Sequence, residues 1–198
     1  MKLYGVNEIF YSVQGEGVRA GTPNLFLRFS GCNQTCSLES HGFDCDTEFV
    51  SSRKLSLEEI TTNLRCLSEK CDWIILTGGE PALQVDLQLI DALHGAGYKL
   101  AIETNGSIEL PAGIDWITVS PKVAEHAIRQ RSADEVKYVR ACGQAIPKTV
   151  VKAQHHLISP AFNGPYLDKE TLNWCVNLVK DNPPWRLSVQ QHKCWVVR

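Results

Sequence analysis

The sequence lacks both an apolar signal core at its start and any apolar run long enough to cross a membrane. Although 43% of its 198 residues are hydrophobic, no stretch approaches the ~18 residues of a spanning helix. Residues 1–8 contain Lys, Asn and Glu where a signal peptide would be apolar. These absences predict a cytoplasmic protein with no membrane partner.

The chain also has almost no excess of positive over negative charge, or the reverse. The chain has 20 Lys and Arg against 22 Asp and Glu, which gives a net charge of −2. The basic residues are scattered, whereas nucleic-acid-binding proteins usually cluster them. The sequence contains no long linker, low-complexity segment or internal repeat. We therefore expect residues 1–198 to form a single domain with no nucleic-acid partner.

Cysteine, in contrast, is plentiful, with eight residues in the chain. A secreted disulfide scaffold would be shorter and would begin with a signal peptide, so a reduced protein is expected. Five cysteines are interpreted as small buried hydrophobes or surface thiols. They are Cys66, Cys71, Cys142, Cys175 and Cys194.

The other three cysteines occupy one short loop, at Cys32, Cys36 and Cys45. The loop follows the apolar run 24–30, which predicts a buried strand. Iron–sulfur clusters are usually held by four Cys thiolates. Three thiolates hold three irons of a four-iron cluster and leave the fourth iron open to an outside ligand. An open coordination position is where metal chemistry takes place.

Elsewhere the pattern alternates strands with helices. A capping box, Ser56 to Glu59, predicts a helix that runs to about Lys70. Further helices are predicted at 83–94 and 168–180, and further strands at 72–77, 99–104, 115–120, 135–139 and 186–190. Strands that are buried on both faces indicate an α/β fold with a mostly parallel sheet. In such sheets the chemistry lies at the carboxyl ends of the strands.

Polar segments stand at those carboxyl ends. The cysteine loop follows the first strand, and residues 77–81 (Thr-Gly-Gly-Glu-Pro) follow the next. Residues 103–106 and 120–122 end two later strands. Because these ends meet at one edge of a parallel sheet, we expect one shared site there.

Together these segments resemble the 7-carboxy-7-deazaguanine synthase family of the radical S-adenosylmethionine superfamily. The matching segments are residues 9–17, 26–33, 45–47, 76–81, 120–122 and 187–193. The resemblance implies a partial (β/α) barrel, a trimmed form of the radical core. It also implies a lyase of queuosine-type 7-deazapurine biosynthesis, which converts 6-carboxy-5,6,7,8-tetrahydropterin to 7-carboxy-7-deazaguanine with ring contraction and loss of ammonia.

The resemblance further implies the cofactors and their residues. Cys32, Cys36 and Cys45 would hold a 4Fe–4S cluster, whose open iron would be chelated by the amine and carboxylate of S-adenosylmethionine. Thr47 would hold Mg²⁺, a cation that prefers oxygen ligands. The residues expected along S-adenosylmethionine are Asp44, Asp46, Gly78, Gly79, Glu80, Ser120, Pro121, Lys122 and Ser159.

For the pterin substrate the resemblance implies a second set of residues. Arg28 would pair with the substrate carboxylate through a bidentate fork, and the terminal carboxylate at Arg198 would reach the pterin. The full set is Val13, Gln14, Gly15, Glu16, Arg28, Thr77, His192 and Arg198. Beyond the cluster and the cofactor, no side chain is expected to be catalytic. A structural ion pair with Glu16 or Glu103 is the alternative for Arg28.

The implied partners are an electron donor such as flavodoxin and a second copy of the chain in a homodimer. Two other functions remain open. One is an activase that places a glycyl radical on a partner protein. The other is a zinc-stapled domain that uses Cys32, Cys36, His41 and Cys45, a ligand set that suits tetrahedral zinc. His41 lies in an insertion, Ser37–Asp44, because eight residues separate Cys36 from Cys45 where the superfamily usually has two.

Overall fold

The structure is a computed structural model that describes residues 2–45 and 47–197. Within them the strands are β1 (Tyr4–Val13), β2 (Pro23–Phe29), β3 (Arg53–Leu55), β4 (Trp73–Gly78), β5 (Lys99–Thr104), β6 (Trp116–Val119), β7 (Ser132–Arg140), β8 (Lys152–Pro160) and β9 (Trp185–Leu187). The helices are α1 (Leu38–His41), α2 (Leu57–Leu67), α3 (Leu87–Gly95), α4 (Lys169–Asp181) and α5 (Gln191–Trp195). In this part of the chain no helix is both long and apolar enough to cross a membrane.

The strands form one sheet in the order β3-β1-β2-β4-β5-β6-β7-β8-β9. From β2 to β9 every neighbouring pair is parallel, whereas β1 runs antiparallel to both β2 and β3. The sheet leaves β3 and β9 as edges, so the barrel does not close. This confirms the predicted α/β fold, a partial barrel with a mostly parallel sheet.

The helices cover the outer face of this sheet. Ile60 and Leu64 of α2, together with Leu89 and Leu93 of α3, are fully buried against β2, β4 and β5. Burial of one such side chain contributes about 1.5–3 kcal/mol. Because side chains alternate along a strand, the other residues of β2, β4 and β5 point to the inner face, where the site lies.

The start of α3 differs from the prediction. Residues 81–83 form a short 3₁₀ turn, and α3 begins only after Asp86, whose carboxylate accepts the Leu89 N–H at 2.9 Å. The prediction of a helix from Leu83 used the spacing of Leu83, Leu87, Ile90 and Leu93. The first two are 47% and 57% exposed and do not belong to the buried face. The spacing of apolar residues across 83–94 would place them on one face of a continuous helix. Because the helix begins only after the Asp86 cap, Leu83 lies outside it and does not share a face with Ile90 and Leu93.

The remaining predicted elements are confirmed with small shifts at their ends. The capping box of Ser56 and Glu59 opens α2, which ends at Leu67. Asp168 caps α4. Sequence patterns did not predict β1, β3 or β8. The first half of β8, residues 152–156, carries Lys, Gln and two His, and it becomes a strand because it pairs along its length with β7.

Candidate active site

Two adjoining cavities open at the carboxyl ends of the strands. The larger cavity has a volume of about 500 Å³ and the smaller cavity about 200 Å³. They are continuous because they share lining residues, which are Glu16, Thr47, Thr77, Glu103 and Gln190. The predicted meeting of strand ends at one edge of the sheet is therefore observed.

The cysteine loop forms one wall of the smaller cavity, which Cys32, Cys36 and Cys45 all line. The base of the loop is closed by the Gly31 N–H, which donates to the Phe49 carbonyl at 2.8 Å. Burial raises the pKa of the Cys32 and Cys36 thiols. The metal-free protein therefore holds these thiols protonated, and metal binding must release their protons.

The Gly-Gly-Glu turn after β4 packs directly against this loop. The Glu80 N–H donates to the Gly31 carbonyl at 2.9 Å, and the Gly79 N–H donates to the Phe29 carbonyl at 3.1 Å. Gly78 has a φ of 122°, a left-handed conformation that favours glycine. Gly78 and Gly79 both line the smaller cavity. The turn thus presents bare backbone to a ligand beside the thiols.

Gly79 leaves no room for a side chain, which gives a first prediction. A Cβ at this position would lie 2.0 Å from the Gly31 carbonyl oxygen. Gly79→Ala should therefore push the cysteine loop away and lower the free energy of unfolding of the metal-free protein by about 1–3 kcal/mol. It should also reduce iron retention after reconstitution. Thermal unfolding and iron analysis measure the two effects.

Gly95→Ala is the matched control for Gly79→Ala. A Cβ at Gly95, within the described part of the chain, would meet no atom within 4 Å outside its own helical turn. This variant should keep both its stability and its iron. Equal iron retention in the two variants would contradict the close packing of the turn on the cysteine loop.

Glu80 does not line either cavity, although the resemblance implied that it lies along S-adenosylmethionine. Its side chain is 0% exposed and accepts hydrogen bonds from the Thr104 hydroxyl and the Asn105 N–H, both at 2.7 Å. Burial raises the pKa of Glu80, and these hydrogen bonds oppose the rise. In this structure Glu80 braces the end of β5 against the turn after β4.

The other residues expected along the cofactor have mixed positions. Asp44, Ser120, Lys122 and Ser159 line the smaller cavity, whereas Pro121 does not. Asp46 lies outside the described residues. The Lys122 ammonium donates to the Ser120 hydroxyl at 2.8 Å. The cavity therefore combines three thiols with hydroxyl groups, an ammonium group and bare backbone.

Both ring nitrogens of His41 are engaged in hydrogen bonds. Its Nδ1 lies 2.7 Å from the Ser40 hydroxyl and its Nε2 lies 3.0 Å from the Lys122 carbonyl oxygen. In residues 2–45 and 47–197 no group of three His, Cys, Asp or Glu side chains converges on one metal ion. Both observations disfavour the zinc-stapled alternative, which needs four ligands around a single point.

The thiols fit a four-iron cluster better than a single ion. Each thiolate of such a cluster binds a different iron, so the ligands surround a volume and need not converge on a point. Cys32, Cys36 and Cys45 all line the smaller cavity, so the three thiols border one volume. The bare turn at Gly78 and Gly79 leaves space beside them for a further ligand of the cluster.

The larger cavity collects the residues expected for the substrate. Those that line it are Val13, Gln14, Gly15, Glu16, Arg28, Thr77 and His192. Arg198 lies outside the described residues. Stacked rings of Phe10 and Phe26, with centroids 4.8 Å apart, supply an apolar wall. A flat ring with polar edges suits such a lining.

Arg28 has a different neighbour from the one considered in the sequence. Its guanidinium lies 3.3 Å from the carboxylate of Glu8, its antiparallel partner on β1, and not against Glu16 or Glu103. The group remains about 30% exposed and lines the larger cavity. An exposed pair of this kind contributes little to stability, about 0–1 kcal/mol, and leaves the guanidinium available for a ligand.

Charged side chains lie where the two cavities meet. Glu16 pairs with Lys137 and accepts a hydrogen bond from Gln190 at 2.8 Å. Burial would raise the pKa of Glu16, but the charge and hydrogen bond of Lys137 outweigh it and lower that pKa to about 2. Glu103 accepts from Gln14 at 2.9 Å and from Thr77 at 3.0 Å. The carboxylates of Glu16 and Glu103 thus line both cavities, and that of Glu16 is held ionised by Lys137.

Sequence patterns missed the role of Lys137 in this arrangement. It lies on β7, is 6% exposed and lines the smaller cavity. The signal was present, since a lysine in the middle of the apolar strand 135–139 must find a buried partner. Its partner, Glu16, lies 121 residues earlier, and no local pattern connects them.

Comparison with known proteins gives consistent results. Residues 13–128 match the family model described as a 4Fe–4S single cluster domain. A 7-carboxy-7-deazaguanine synthase of Bacteroides thetaiotaomicron is 41% identical over 194 residues, covering 98% of each chain. One of Bradyrhizobium diazoefficiens is 38% identical over 214 residues, covering 98% of this chain and 99% of the other.

A solved structure shares the fold. The crystal structure of QueE from Escherichia coli superposes with a TM-score of 0.72 at 23% sequence identity. The match covers 95% of this chain and 94% of that chain. The partial barrel is therefore similar to an experimentally determined one along nearly its whole length.

Proposed function

The chain belongs to the 7-carboxy-7-deazaguanine synthase family, and we propose that it converts 6-carboxy-5,6,7,8-tetrahydropterin to 7-carboxy-7-deazaguanine, with ring contraction and loss of ammonia. One observation carries the proposal: a cavity lined by three thiols is continuous with a cavity lined by Arg28 and Gln14. Relatives that match 98% of the chain favour this function over a glycyl-radical activase.

The enzyme is a lyase that uses a 4Fe–4S cluster and S-adenosylmethionine. We propose Cys32, Cys36 and Cys45 as the cluster ligands. When bound, the two cofactors supply a one-electron cleavage that generates a carbon radical able to take hydrogen from C6 of the substrate. The protein itself then binds and orients the substrate and excludes water.

S-adenosylmethionine is proposed to lie in the smaller cavity. Gly78 and Gly79 line it with bare backbone, suited to close approach by the methionine end. Lys122 and Ser120, in the loop after β6, supply an ammonium and a hydroxyl, and Ser159 and Asp44 line the same cavity. Because Glu80 is engaged with Thr104 and Asn105, its proposed role is to hold the turn in place.

The pterin is proposed to lie in the larger cavity, with its carboxylate against Arg28. A guanidinium matches a carboxylate with two parallel hydrogen bonds. Gln14 and the ionised Glu16 face the same space and are suited to accept the amino and ring N–H groups of the pterin edge. His192 lies next to the Gly15 backbone, where a Cβ would meet its Nδ1 at 2.3 Å. This packing fixes His192 at the cavity wall.

Thr47 is proposed as an oxygen ligand of Mg²⁺ because it lines both cavities. A cation there would lie between cofactor and substrate carboxylate, a setting of oxygen donors that Mg²⁺ prefers. Thr47→Ala should reduce the activation by Mg²⁺ several-fold and leave the iron content unchanged. Steady-state rates measured across a Mg²⁺ titration test this.

Thr47→Ser keeps the hydroxyl and is the matched control for Thr47→Ala. It should retain most of the Mg²⁺ response because only a methyl group is removed. If the Thr47→Ala enzyme kept the Mg²⁺ dependence of the wild type, Thr47 would not be a ligand of Mg²⁺.

We further propose that residues 1–198 form one radical S-adenosylmethionine domain, supported by the single continuous sheet. A cytoplasmic location is supported by the eight cysteines, none of which forms a disulfide in the described structure. An external electron donor such as flavodoxin and a homodimeric state complete the proposal.

Release of ammonia tests the proposed function. The reconstituted enzyme, incubated without oxygen with the carboxytetrahydropterin, S-adenosylmethionine, Mg²⁺ and a reductant, should release about one ammonia for each substrate consumed. Omission of S-adenosylmethionine should stop the release. Ammonia release that continues without it would contradict the proposal.

A further inference from the structure

The insertion between Cys36 and Cys45 folds as a closed unit. It contains α1, which begins at a capping box between Ser37 and Ser40. The helix ends at Gly42, whose φ of 79° allows its N–H to donate to the Leu38 carbonyl at 2.9 Å. The Leu38 N–H in turn donates to the Asp44 carboxylate at 2.8 Å. The insertion is therefore a defined structural element and not an open loop.

His41 at the end of α1 bonds to the strand end on the other side of the smaller cavity. Its Nε2 lies 3.0 Å from the Lys122 carbonyl oxygen, which only accepts hydrogen bonds. The proton is therefore assigned to Nε2, which leaves Nδ1 to accept from the Ser40 hydroxyl at 2.7 Å. One neutral tautomer satisfies both contacts.

A second contact connects the same residue to the loop after β7. The Gln144 side-chain amide donates to the His41 backbone carbonyl at 3.2 Å. The backbone carbonyl of Gln144 accepts from the Trp174 indole at 2.9 Å. The packing is close, since a Cβ at Gly42 would lie 2.8 Å from the Gln144 amide nitrogen. The insertion is thus held by the loops after both β6 and β7.

Lys122 connects this bridge to the cofactor cavity. Its ammonium donates to the Ser120 hydroxyl at 2.8 Å and lies 5.4 Å from the centroid of the Phe43 ring, which belongs to the insertion. Lys122, Phe43 and Cys36 line the same cavity. The hydrogen bond from His41 to the Lys122 backbone fixes the place from which the Lys122 side chain enters that cavity.

We infer that His41 is a positioning residue, which acts through the Lys122 carbonyl to hold residues 120–122 against the cluster loop and so shapes the S-adenosylmethionine cavity. This inference rests on the proposed function. It explains what the longer loop of this chain does, since the added residues supply the bridge across the cavity. It also predicts that loss of the bridge weakens S-adenosylmethionine binding without loss of iron.

Two substitutions of His41 separate the Nε2 contact from the rest of the side chain. The side-chain amide nitrogen of glutamine occupies the place of Nε2, whereas that of asparagine occupies the place of Nδ1. His41→Asn should raise the dissociation constant for S-adenosylmethionine about tenfold, the equivalent of one hydrogen bond at about 1.4 kcal/mol. His41→Gln should restore it to near the wild-type value. His126→Ala, at a histidine of a neighbouring turn, should change nothing.

Binding is measured on the reconstituted holoenzyme by calorimetry, and by the change that S-adenosylmethionine causes in the electron paramagnetic resonance spectrum of the reduced cluster. Iron content is determined in the same samples. A His41→Asn protein that binds S-adenosylmethionine as tightly as the wild type would overturn the inference, and so would one that loses its iron. A wild-type protein that carries the cluster but binds no S-adenosylmethionine would instead contradict the proposed function.

Discussion

Replacing Cys45 by alanine is expected to remove the cluster and with it all activity. Cys45 is one of three thiols that line the smaller cavity, and four ligands are usual for such clusters. A cluster held by only two thiolates should not survive purification. The wild-type protein, prepared without oxygen, should be brown and contain about four irons per chain, whereas the Cys45→Ala protein should be colourless.

Cys66→Ala is the matched control for Cys45→Ala. Cys66 is an exposed thiol on α2, outside the cysteine loop. Its substitution should leave iron content and turnover unchanged. A Cys45→Ala protein that kept a full cluster and turned over would refute the ligand assignment. A colourless wild-type protein with one zinc per chain would support the zinc-stapled domain and contradict the cluster.

The second large effect is expected at Arg28. Arg28→Ala should raise the Michaelis constant for the carboxytetrahydropterin by a hundredfold or more. Bound substrate would cover the guanidinium, and truncating one partner of a buried, hydrogen-bonded charge pair costs about 2–5 kcal/mol. Iron content and S-adenosylmethionine binding should be unchanged, since Arg28 lines only the larger cavity. Steady-state kinetics with varied substrate give the measurement.

Two further variants separate substrate binding from structure at this position. Arg28→Lys keeps the positive charge but cannot form the two parallel hydrogen bonds of a guanidinium. Its Michaelis constant for the carboxytetrahydropterin should therefore lie between those of Arg28→Ala and the wild type. Glu8→Gln removes the ion pair at 3.3 Å and keeps the guanidinium. It should have little effect, as expected of an exposed pair. A Glu8→Gln enzyme as impaired as Arg28→Ala would attribute the defect to the ion pair and not to the substrate.

Local patterns were sufficient to predict most of the fold. The apolar run 24–30 became β2, the capping box at Ser56 opened α2, and the helix predicted over 168–180 is α4. Parallel strands followed from runs that are apolar on both faces. From that topology alone the cysteine loop and the turn at Gly78 and Gly79 were expected side by side, and they line one cavity.

Features that depend on contacts between distant residues were not predictable in this way. Strand β8 forms through pairing with β7 despite its polar first half. Lys137 acquires its role from Glu16, which reaches it from the loop after β1. The buried hydrogen bonds of Glu80 come from Thr104 and Asn105, which lie at the end of a different strand. Each of these outcomes is decided by partners that no local window contains.

Mass spectrometry of the reaction product is the decisive measurement for the proposed function. The reconstituted wild-type enzyme is incubated without oxygen with 6-carboxy-5,6,7,8-tetrahydropterin, S-adenosylmethionine, Mg²⁺ and a reductant, beside matched reactions with Cys45→Ala and Arg28→Ala. We expect 7-carboxy-7-deazaguanine from the wild type, none from Cys45→Ala, and product from Arg28→Ala only at high substrate concentration. Unchanged pterin in the wild-type reaction, with the cluster loaded and S-adenosylmethionine bound, would contradict the proposed function.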